Sequence, residues 1–487
     1  MTNSSLMLAV LAVPLLGGLA SLLALSDRTR FLLVVPTGVA TLALGLTLIA
    51  RVVQSGPVAG LNQWLYVDDL DAVVLLVVVV VAALAGAYSV AYFRSPAQAH
   101  AMRPGEIRKY FSLFHFFTFT MVLATVAGNL ILLWTAVTAT TFAAAPLVDF
   151  YGSHEPLEAA WKFLVLAVAG ELIALLGFFL LFEAGIAALG ASYNFSIPVL
   201  DRAGPHLNGA LGGIGFLMVL VGFGTKAGLA PMHTWLPDAH SQAPAPVSAL
   251  MSGVLLTVAF YALLRFKAVA DGALGPGYSR TLLVIVGLAS LLVAASLLLT
   301  QRDVKRMLAY HSIEHMGLIA LGAAAGTTLA IAAVLLHILG HGLAKAVLFL
   351  ASGEILLVEG TSEIDKIPSL LARRPLLGGI FGFGLVALLG LPPFSLFVSE
   401  LNMIRGELAV GLGWAAGLSL LAMAVIFAAV MAHGRHLLLG GRGATPSATS
   451  RLVGVPLVGG LVACVFFGLS AWPLQSLLDA AARVVVR

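Results

Sequence analysis

The chain has 487 residues, 60% of them hydrophobic and only 10% charged, and its mean hydropathy is +1.04. A water-soluble domain carries about 25% charged residues, so this composition excludes a soluble protein and predicts a surface that faces lipid. The net charge of +4 fits basic loops beside membrane spans better than a nucleic-acid-binding surface, and we predict no nucleic-acid partner.

Apolar runs long enough to cross a bilayer as helices recur along the whole chain. They predict an all-α polytopic membrane protein with about fourteen transmembrane helices. The predicted spans are residues 6–25, 31–53, 70–92, 110–127, 129–148, 161–186, 209–230, 246–268, 280–300, 305–324, 327–358, 376–408, 411–433 and 452–475. The first run has no basic segment before it and is followed by Asp27, Arg28 and Arg30, so we interpret it as a retained span and not as a signal peptide.

Two of the predicted spans contain prolines near their middle. The seventh runs into Ala230-Pro231 and the polar stretch 233–240, and the twelfth contains GLPPF at 390–394. Proline removes a backbone donor and clashes with the preceding turn, so both helices should break inside the membrane. The backbone groups freed there must be buried in protein or line a polar cavity. Interrupted spans at matching positions in two halves are typical of internal repeats in transporters, and we predict such a repeat here.

The distribution of basic residues between loops predicts the orientation. Counted with the N-terminus outside, the loops on one side carry about twice as many Lys and Arg residues as the loops on the other. The more basic side should face the cytoplasm. The sequence therefore predicts a multi-pass protein of the cell (inner) membrane with both termini on the outer face.

Several ionisable residues lie inside the predicted spans, where each costs about 2.5 kcal/mol or more unless it is paired or hydrated. Such residues are functional candidates by default. The candidates are Lys226, Glu171, Glu183, His311, Glu314, His315, His337, His341, Lys345, Glu354 and Glu400. A string of titratable groups in one apolar body indicates proton movement across the bilayer.

Lys226 stands just before the first break, with apolar residues on both sides. The alternative is a lysine that extends to the membrane interface, but its place beside the break favours a functional role. Glu400 follows the second break by two helical turns. It is predicted to end a proton path, and the alternative is a partner for a nearby interfacial cation.

His337, His341 and Lys345 follow each other at intervals of four residues and therefore lie on one face of a helix. Imidazole accepts a proton on one nitrogen and donates from the other, so this stripe predicts a proton relay. The alternative is a polar seam hydrogen-bonded between helices. The spacing of the two histidines also suits zinc, but the sequence has no HExxH motif and no third ligand nearby, so we predict no metal.

His311, Glu314 and His315 share another helical face, near a basic cytoplasmic end of a span. A proton path and a polar helix end are equally compatible with that position. The single cysteine, Cys464, lies in an apolar run and permits no internal disulfide. No flavin, haem, quinone or iron–sulfur motif occurs, so we predict no cofactor in this chain.

Five segments carry a resemblance to a known family. They are KAGLAPMHTWLPDAH at 226–240, APAPVSAL at 243–250, LEAAWK at 157–162, RDVKRMLAY at 302–310 and LPPF at 391–394. The chain resembles the antiporter-like subunits of respiratory complex I, Mrp antiporters and group 4 membrane-bound hydrogenases over about residues 65–435. It is most similar to the F-type membrane subunit of hydrogenase-4.

The resemblance implies two inverted five-helix repeats with broken seventh and twelfth helices and a hydrated polar axis along the membrane. Helices 1–3 would occupy residues 1–109, the first repeat 110–270, the second repeat 271–438 and the last helix 439–487. Lys226 would be the central lysine of the first half-channel, with His233 beside it in the same motif. His337, His341 and Lys345 would lead onward to Glu400. The partners would be other membrane subunits and a peripheral redox module that drives proton translocation.

The chain departs from the family at the carboxylate that should pair with Lys226. By alignment that fifth-helix position is Thr138, and the polar position of the eighth helix is Thr257. Glu171 on the sixth helix is a predicted replacement, and Asp149 is a second possibility. Two other functions stay open: a cation/proton antiporter or ion-coupled inorganic-carbon uptake subunit, and a structural subunit that has lost conduction. Proton or sodium, the direction of transport and the redox donor are not determined by the sequence.

Overall fold

The computed structural model describes residues 2–95, 98, 102–367, 369–440, 451–469 and 472–486. Most of these residues lie in α-helices, because a helix satisfies all its backbone hydrogen bonds within one segment of a membrane-spanning chain. The predicted all-α polytopic fold is confirmed.

Four of the N-terminal helices begin where a polar side chain caps free amides of the first turn. Asp68 accepts from the backbone N–H of Asp71, and Asn129 accepts from that of Ile131. The helices are α1 (Asn3–Leu23), α2 (Asp27–Ser55), α3 (Asp69–Arg94), α4 (Glu106–Val126), α5 (Leu130–Val148) and α6 (His154–Leu189). An antiparallel hairpin of β1 (Val58–Gly60) and β2 (Leu65–Val67) joins α2 to α3.

The remaining helices are α7 (Gly209–Ala227), α8 (Ala245–Leu274), α9 (Pro276–Leu298), α10 (Val304–Ala325), α11 (Thr328–Glu359), α12 (Pro375–Leu388), α13 (Ser395–Ala409), α14 (Gly413–Leu439), α15 (Arg451–Leu469) and α16 (Trp472–Val485). A π-helical turn interrupts α8 at Met251–Leu255. Short helices at Ile197–Ala203, Trp235–Gln242 and Leu370–Arg373 lie between these elements.

Among the described residues, eleven helices are long and apolar enough to cross a membrane, or twelve if the bent pair α15 and α16 counts as one span. The predicted total of about fourteen therefore stays a prediction. The difference has a physical source: α10 carries several charged residues, and α12 and α13 have only 14 and 15 residues. At 1.5 Å per residue neither of the two short helices crosses ~30 Å of hydrocarbon alone.

Both predicted helix breaks are present. α7 ends at Ala227, Gly228 adopts a left-handed conformation with φ of 75°, and Ala230-Pro231 is a cis peptide before the short helix Trp235–Gln242. α12 ends at Leu388, Gly390 is left-handed with φ of 62°, and Pro392-Pro393 is a cis peptide before α13. The two breaks thus have the same local construction.

Burial divides the helices into an inner and an outer set. The most apolar segments of α8 and α11 are 100% buried, whereas those of α2, α6, α9 and α14 are 28–39% buried. The exposed side chains of the outer helices include Leu32, Leu172, Leu292 and Leu421, which is the surface that lipid requires. The helices α8 and α11 therefore lie in the interior of the helix bundle.

Glycines bring α6 and α7 into backbone contact. A Cβ atom at Gly170 would lie 2.8 Å from the carbonyl oxygen of Gly222, and one at Gly177 would lie 2.7 Å from that of Gly215. Small residues allow membrane helices to pack this closely. The contact sets the residue after Gly170, which is Glu171, against the end of α7 that carries Lys226.

Candidate functional site

Lys226 is fully buried and forms an ion pair with Glu171, which is also fully buried. Its Nζ atom lies 2.5 Å from Glu171 Oε1, 2.6 Å from Thr141 Oγ1 and 2.5 Å from the carbonyl oxygen of Val137. An ammonium group has three N–H donors, so all three are used. Glu171 Oε1 also accepts from Thr141 Oγ1 at 2.6 Å, whereas its Oε2 has no partner among the described atoms.

Indole side chains fix the two helices that carry this pair. Trp134 Nε1 of α5 donates to the backbone oxygen of Glu171 at 2.7 Å. Trp235 Nε1 donates at 2.8 Å to the backbone oxygen of Thr225, which also accepts from the backbone N–H of Gly228 at the break in α7. Beyond the break, the backbone N–H of Ala230 donates to Ser290 Oγ at 2.9 Å.

The partner of Lys226 is the acid on the sixth helix, as one of the two alternatives predicted. Thr138, at the family's usual carboxylate position, has a buried Oγ1 without a partner among the described atoms. Asp149 follows the last residue of α5, three helical turns from Val137, and its Oδ1 has no described partner. Thr257 donates to the backbone oxygen of Gly253 within α8. That Thr141 joins the pair was not predicted from the sequence.

The predicted stripe on α11 meets a second set of titratable groups on α10. His315 Nδ1 lies 2.8 Å from His337 Nε2, and His337 Nδ1 lies 3.0 Å from Ser399 Oγ of α13. The ring centroids of His315 and His341 are 4.9 Å apart. Lys345 Nζ donates to the backbone oxygen of Leu308 at 2.5 Å.

His311 and Glu314 extend this group along α10. The rings of His311 and His315 stack with centroids 4.8 Å apart, and His311 Nδ1 lies 2.8 Å from Glu314 Oε2. His311, Glu314 and His315 are 1%, 4% and 1% exposed, so they belong to the interior and not to a polar helix end. We call His311, Glu314, His315, His337 and His341 the histidine cluster.

Glu400 of α13 lies at the far side of this cluster. Its side chain is buried beside the break at Gly390, and together with Glu314 it lines a cavity of about 320 Å³ that is otherwise apolar. Ligand atoms of His315, His337 and Glu400 all lie within 4.8 Å of one another. Glu400 therefore continues the cluster, although it lies on another helix and at least 59 residues further along the chain.

No third metal ligand lies near His337 in the sequence, but the folded chain brings candidate ligands to it from other helices. His315 and Glu400 come from other helices to give a group with His337, and His311, Glu314 and His315 form a second such group. His341 belongs to neither group. The same geometry suits proton transfer, because several ring nitrogens, including both of His341, have no partner among the described atoms.

His240 is a buried histidine that was not among the site residues predicted from the sequence. Its ring lies 5.3 Å from that of Phe349 and 6.2 Å from that of Trp235, and both its nitrogens lack a described partner. The sequence feature that could have identified His240 is its position in the polar stretch after the first break.

Three other candidates lie apart from these groups. Glu183 lies on α6 with an exposed side chain, apart from both groups. Glu354 is buried near the end of α11, where the charge of Arg374 acts on it, nine residues beyond Lys345. His233 is half-buried in the connection after Pro231.

The sequence matches the family model described as NADH:quinone oxidoreductase/Mrp antiporter, transmembrane, over residues 127–428. A hydrogenase-4 component F homolog from Methylacidiphilum infernorum is 36% identical over 355 residues, which cover 72% of this chain and 73% of that protein. NAD(P)H-quinone oxidoreductase chain 4 1 from Synechococcus sp. (strain JA-3-3Ab) is 34% identical over 281 residues, and the chain spans about half its length, 52%.

Solved structures with the same fold share less sequence. A chain of the archaeal membrane-bound sulfane sulfur reductase superposes with a TM-score of 0.90 at 23% identity, covering 99% of this chain and 98% of that chain. A chain of the Mrp complex from Dietzia sp. DQ12-45-1b gives 0.86 at 22% identity, covering 99% and 97%. A chain of respiratory complex I from Thermus thermophilus gives 0.82 at 23% identity, covering 99% of both. These likenesses concern the fold, and each of these structures is a multi-subunit membrane complex.

Proposed function

Since this chain belongs to the NADH:quinone oxidoreductase/Mrp antiporter transmembrane family, we propose that it is a proton-translocating subunit of a redox-driven membrane complex. The path we propose starts at the Lys226–Glu171 pair and ends at Glu400, with the histidine cluster and Lys345 between them. The observation that carries the proposal is the fully buried ion pair Lys226–Glu171 beside a break in a membrane helix. Other membrane subunits and a peripheral redox module are the partners.

The first half of the path works through the ion pair. A buried ammonium without its counter-ion is unfavourable, so the carboxylate of Glu171 holds the proton on Lys226. Glu171 Oε2 is without a described partner, so the carboxylate is held through Oε1 alone. When the carboxylate turns away or is neutralised, Lys226 releases its proton. This is an electrostatic switch that a distant redox event can operate.

The second half is a relay of imidazoles. The 2.8 Å contact between His315 Nδ1 and His337 Nε2 holds one shared proton when both rings are neutral. His337 passes a proton from one nitrogen to the other side of its ring, towards Ser399 Oγ. Lys345, near the middle of α11, supplies protons to the cluster, and Glu400 of α13 accepts them. Proton flux measured in vesicles that contain the purified complex tests the whole path.

We infer that His240 connects the two halves. It is fully buried in the segment after the first break, its ring lies 5.3 Å from that of Phe349 on α11, and both its nitrogens lack a described partner. Replacing His240 by alanine is expected to lower proton flux by roughly 10²-fold, the lower end of the range for a lost general acid–base group. The matched control is His436→Ala, an exposed histidine of α14. Equal flux in both variants would exclude His240 from the path.

Removal of metal ions is expected to leave proton flux unchanged. A relay needs ring nitrogens that exchange protons, and a bound metal would occupy them. The protein is treated with a strong zinc chelator, metal content is measured by mass spectrometry, and flux is compared with an untreated sample. Loss of flux on chelation that zinc restores would instead assign His315, His337 and Glu400 as a metal centre.

We propose that residues 110–270 and 271–438 are the two repeats, preceded by 1–109 and followed by 439–487. The support is the shared construction of the two breaks, each with a left-handed glycine and a proline. We further propose a location in the cell (inner) membrane with both termini on the outer face, from the basic loops. Single cysteines at Thr2 and at Lys366 in a Cys464→Ser background test the orientation. A membrane-impermeant thiol reagent on intact cells should label only the first, and labelling of the second alone would reverse the topology.

A further inference from the structure

A groove between α1 and α4 lies outside the proton path. The two helices are antiparallel and come closest at Gly18, where a Cβ atom would lie 3.2 Å from the backbone oxygen of Ser112. Beside this contact they leave a cavity of about 450 Å³ that includes Leu19, Leu22 and Phe116. Leu19 and Leu22 are 47% and 51% exposed, so the groove opens to the lipid side of the protein.

The polar end of this groove is positively charged. Arg108 and Lys109 line it in the first turn of α4, and both side chains are exposed. No ion pair to either residue occurs in the part of the chain that the structure describes. The nearest acid in sequence, Glu106, accepts instead from the backbone N–H of Arg103. The two cations are therefore available to an anion at the membrane interface.

Ser112 lies one helical turn deeper, about 6 Å from Arg108 along α4. Its Oγ atom is buried, lines the same groove and has no hydrogen-bond partner among the described atoms. A helical serine inside a membrane usually donates back to the carbonyl four residues earlier. The hydroxyl of Ser112 is thus a donor without an acceptor, between the cations and the apolar part of the groove.

We propose that this groove binds one anionic phospholipid. Arg108 and Lys109 bind the phosphate, Ser112 Oγ donates to an ester carbonyl of the glycerol, and an acyl chain packs along Leu19, Leu22 and Phe116. The order of cation, hydroxyl donor and apolar wall along α4 is the order of phosphate, ester and acyl chain in a phospholipid. Basic residues above pockets between membrane helices bind anionic headgroups in this way.

Native mass spectrometry of the full chain, purified in detergent with its accompanying subunits and stripped of lipid, tests the proposal. Phosphatidylglycerol and phosphatidylcholine with the same acyl chains are titrated separately. The native chain is expected to bind phosphatidylglycerol at least tenfold more tightly than phosphatidylcholine. The double variant Arg108→Gln/Lys109→Gln should lose that preference. The matched control Arg302→Gln/Arg435→Gln removes two exposed charges elsewhere and should keep it.

A second variant tests the contribution of the apolar wall of the groove to lipid binding, independently of the two cations. Leu19→Trp fills the groove from an exposed position, so the fold should be preserved, and binding of phosphatidylglycerol should fall at least tenfold. Equal binding of the two lipids by the native chain, or an unchanged preference in the Arg108/Lys109 variant, would overturn the proposal. So would a photo-crosslinker at Leu22 that captures a neighbouring subunit in place of lipid in native membranes.

Discussion

Replacing Glu171 by glutamine is expected to lower proton flux by at least about tenfold, with the fold retained. The carboxylate is the counter-ion that Lys226 contacts at 2.5 Å in a fully buried pair. Removing one member of such a pair costs about 3–5 kcal/mol if the other stays charged, so Lys226 should become neutral and stop cycling its proton. A difference of about 1.4 kcal/mol already corresponds to tenfold. Flux is measured by dye quenching in vesicles that contain the purified complex.

Glu183→Gln is the matched control, because Glu183 is on the same helix and is exposed. It should keep native flux. Lys226→Ala should also abolish flux, and it should destabilise the protein by about 3–5 kcal/mol because it leaves the buried carboxylate of Glu171 without a counter-ion. Thermal unfolding then separates the two effects. Native flux in the Glu171→Gln variant would make the pair a structural element.

Loss of the second half of the path is the other large expected effect. His337→Ala removes the ring that contacts both His315 and Ser399, and Glu400→Gln removes the final acceptor. A proton-transfer group contributes about 10²–10⁴-fold to the step it serves, so flux in either variant should fall by roughly 10²-fold. The same vesicle assay measures it.

His436→Ala and Glu363→Gln are the controls for this second prediction, since both residues are exposed. If the His337→Ala variant retains native flux while Glu400→Gln does not, protons bypass His337 through His311 and His341. If both variants retain native flux, the histidine cluster is a hydrogen-bonded seam between α10, α11 and α13. That result would restore the alternative that the stripe on α11 left open.

The elements that local sequence determines were predictable. Proline and glycine act on the backbone within a few residues, so the breaks after Ala227 and after Leu388 followed from the sequence. The spacing of His337, His341 and Lys345 fixed their shared face on α11 in the same way. The number of spans was harder to determine from the sequence. α10 carries charged residues, and α12 and α13 are short, so none of the three has the length and apolar composition of a typical membrane-spanning helix.

Contacts between helices could not be predicted from local patterns. Glu171 and Glu183 are the same residue type on the same helix, but twelve residues turn the side chain by about 120° around the axis. One therefore meets Lys226 and the other faces outward. Contacts between helices, such as the glycine contact of α6 with α7 and the hydrogen bond from Trp134 to Glu171, determine which. The packing of α10, α11 and α13 around His315 and His337 likewise depends on tertiary contacts. The periodicity of each single helix does not predict such contacts.

Moving the acid that pairs with Lys226 from α6 to α5 is the most direct test of the proposed proton path. Thr138 has a buried Oγ1 on α5, next to the Val137 carbonyl that accepts from Lys226. A carboxylate placed there has the same lysine within reach. We predict that Thr138→Glu restores at least half of the native proton flux when it is added to the inactive Glu171→Gln variant. Thr135→Glu, on the exposed face of α5, should not. Equal inactivity of the two double variants, with both folded and assembled, would contradict the claim that a carboxylate beside Lys226 drives its proton cycle.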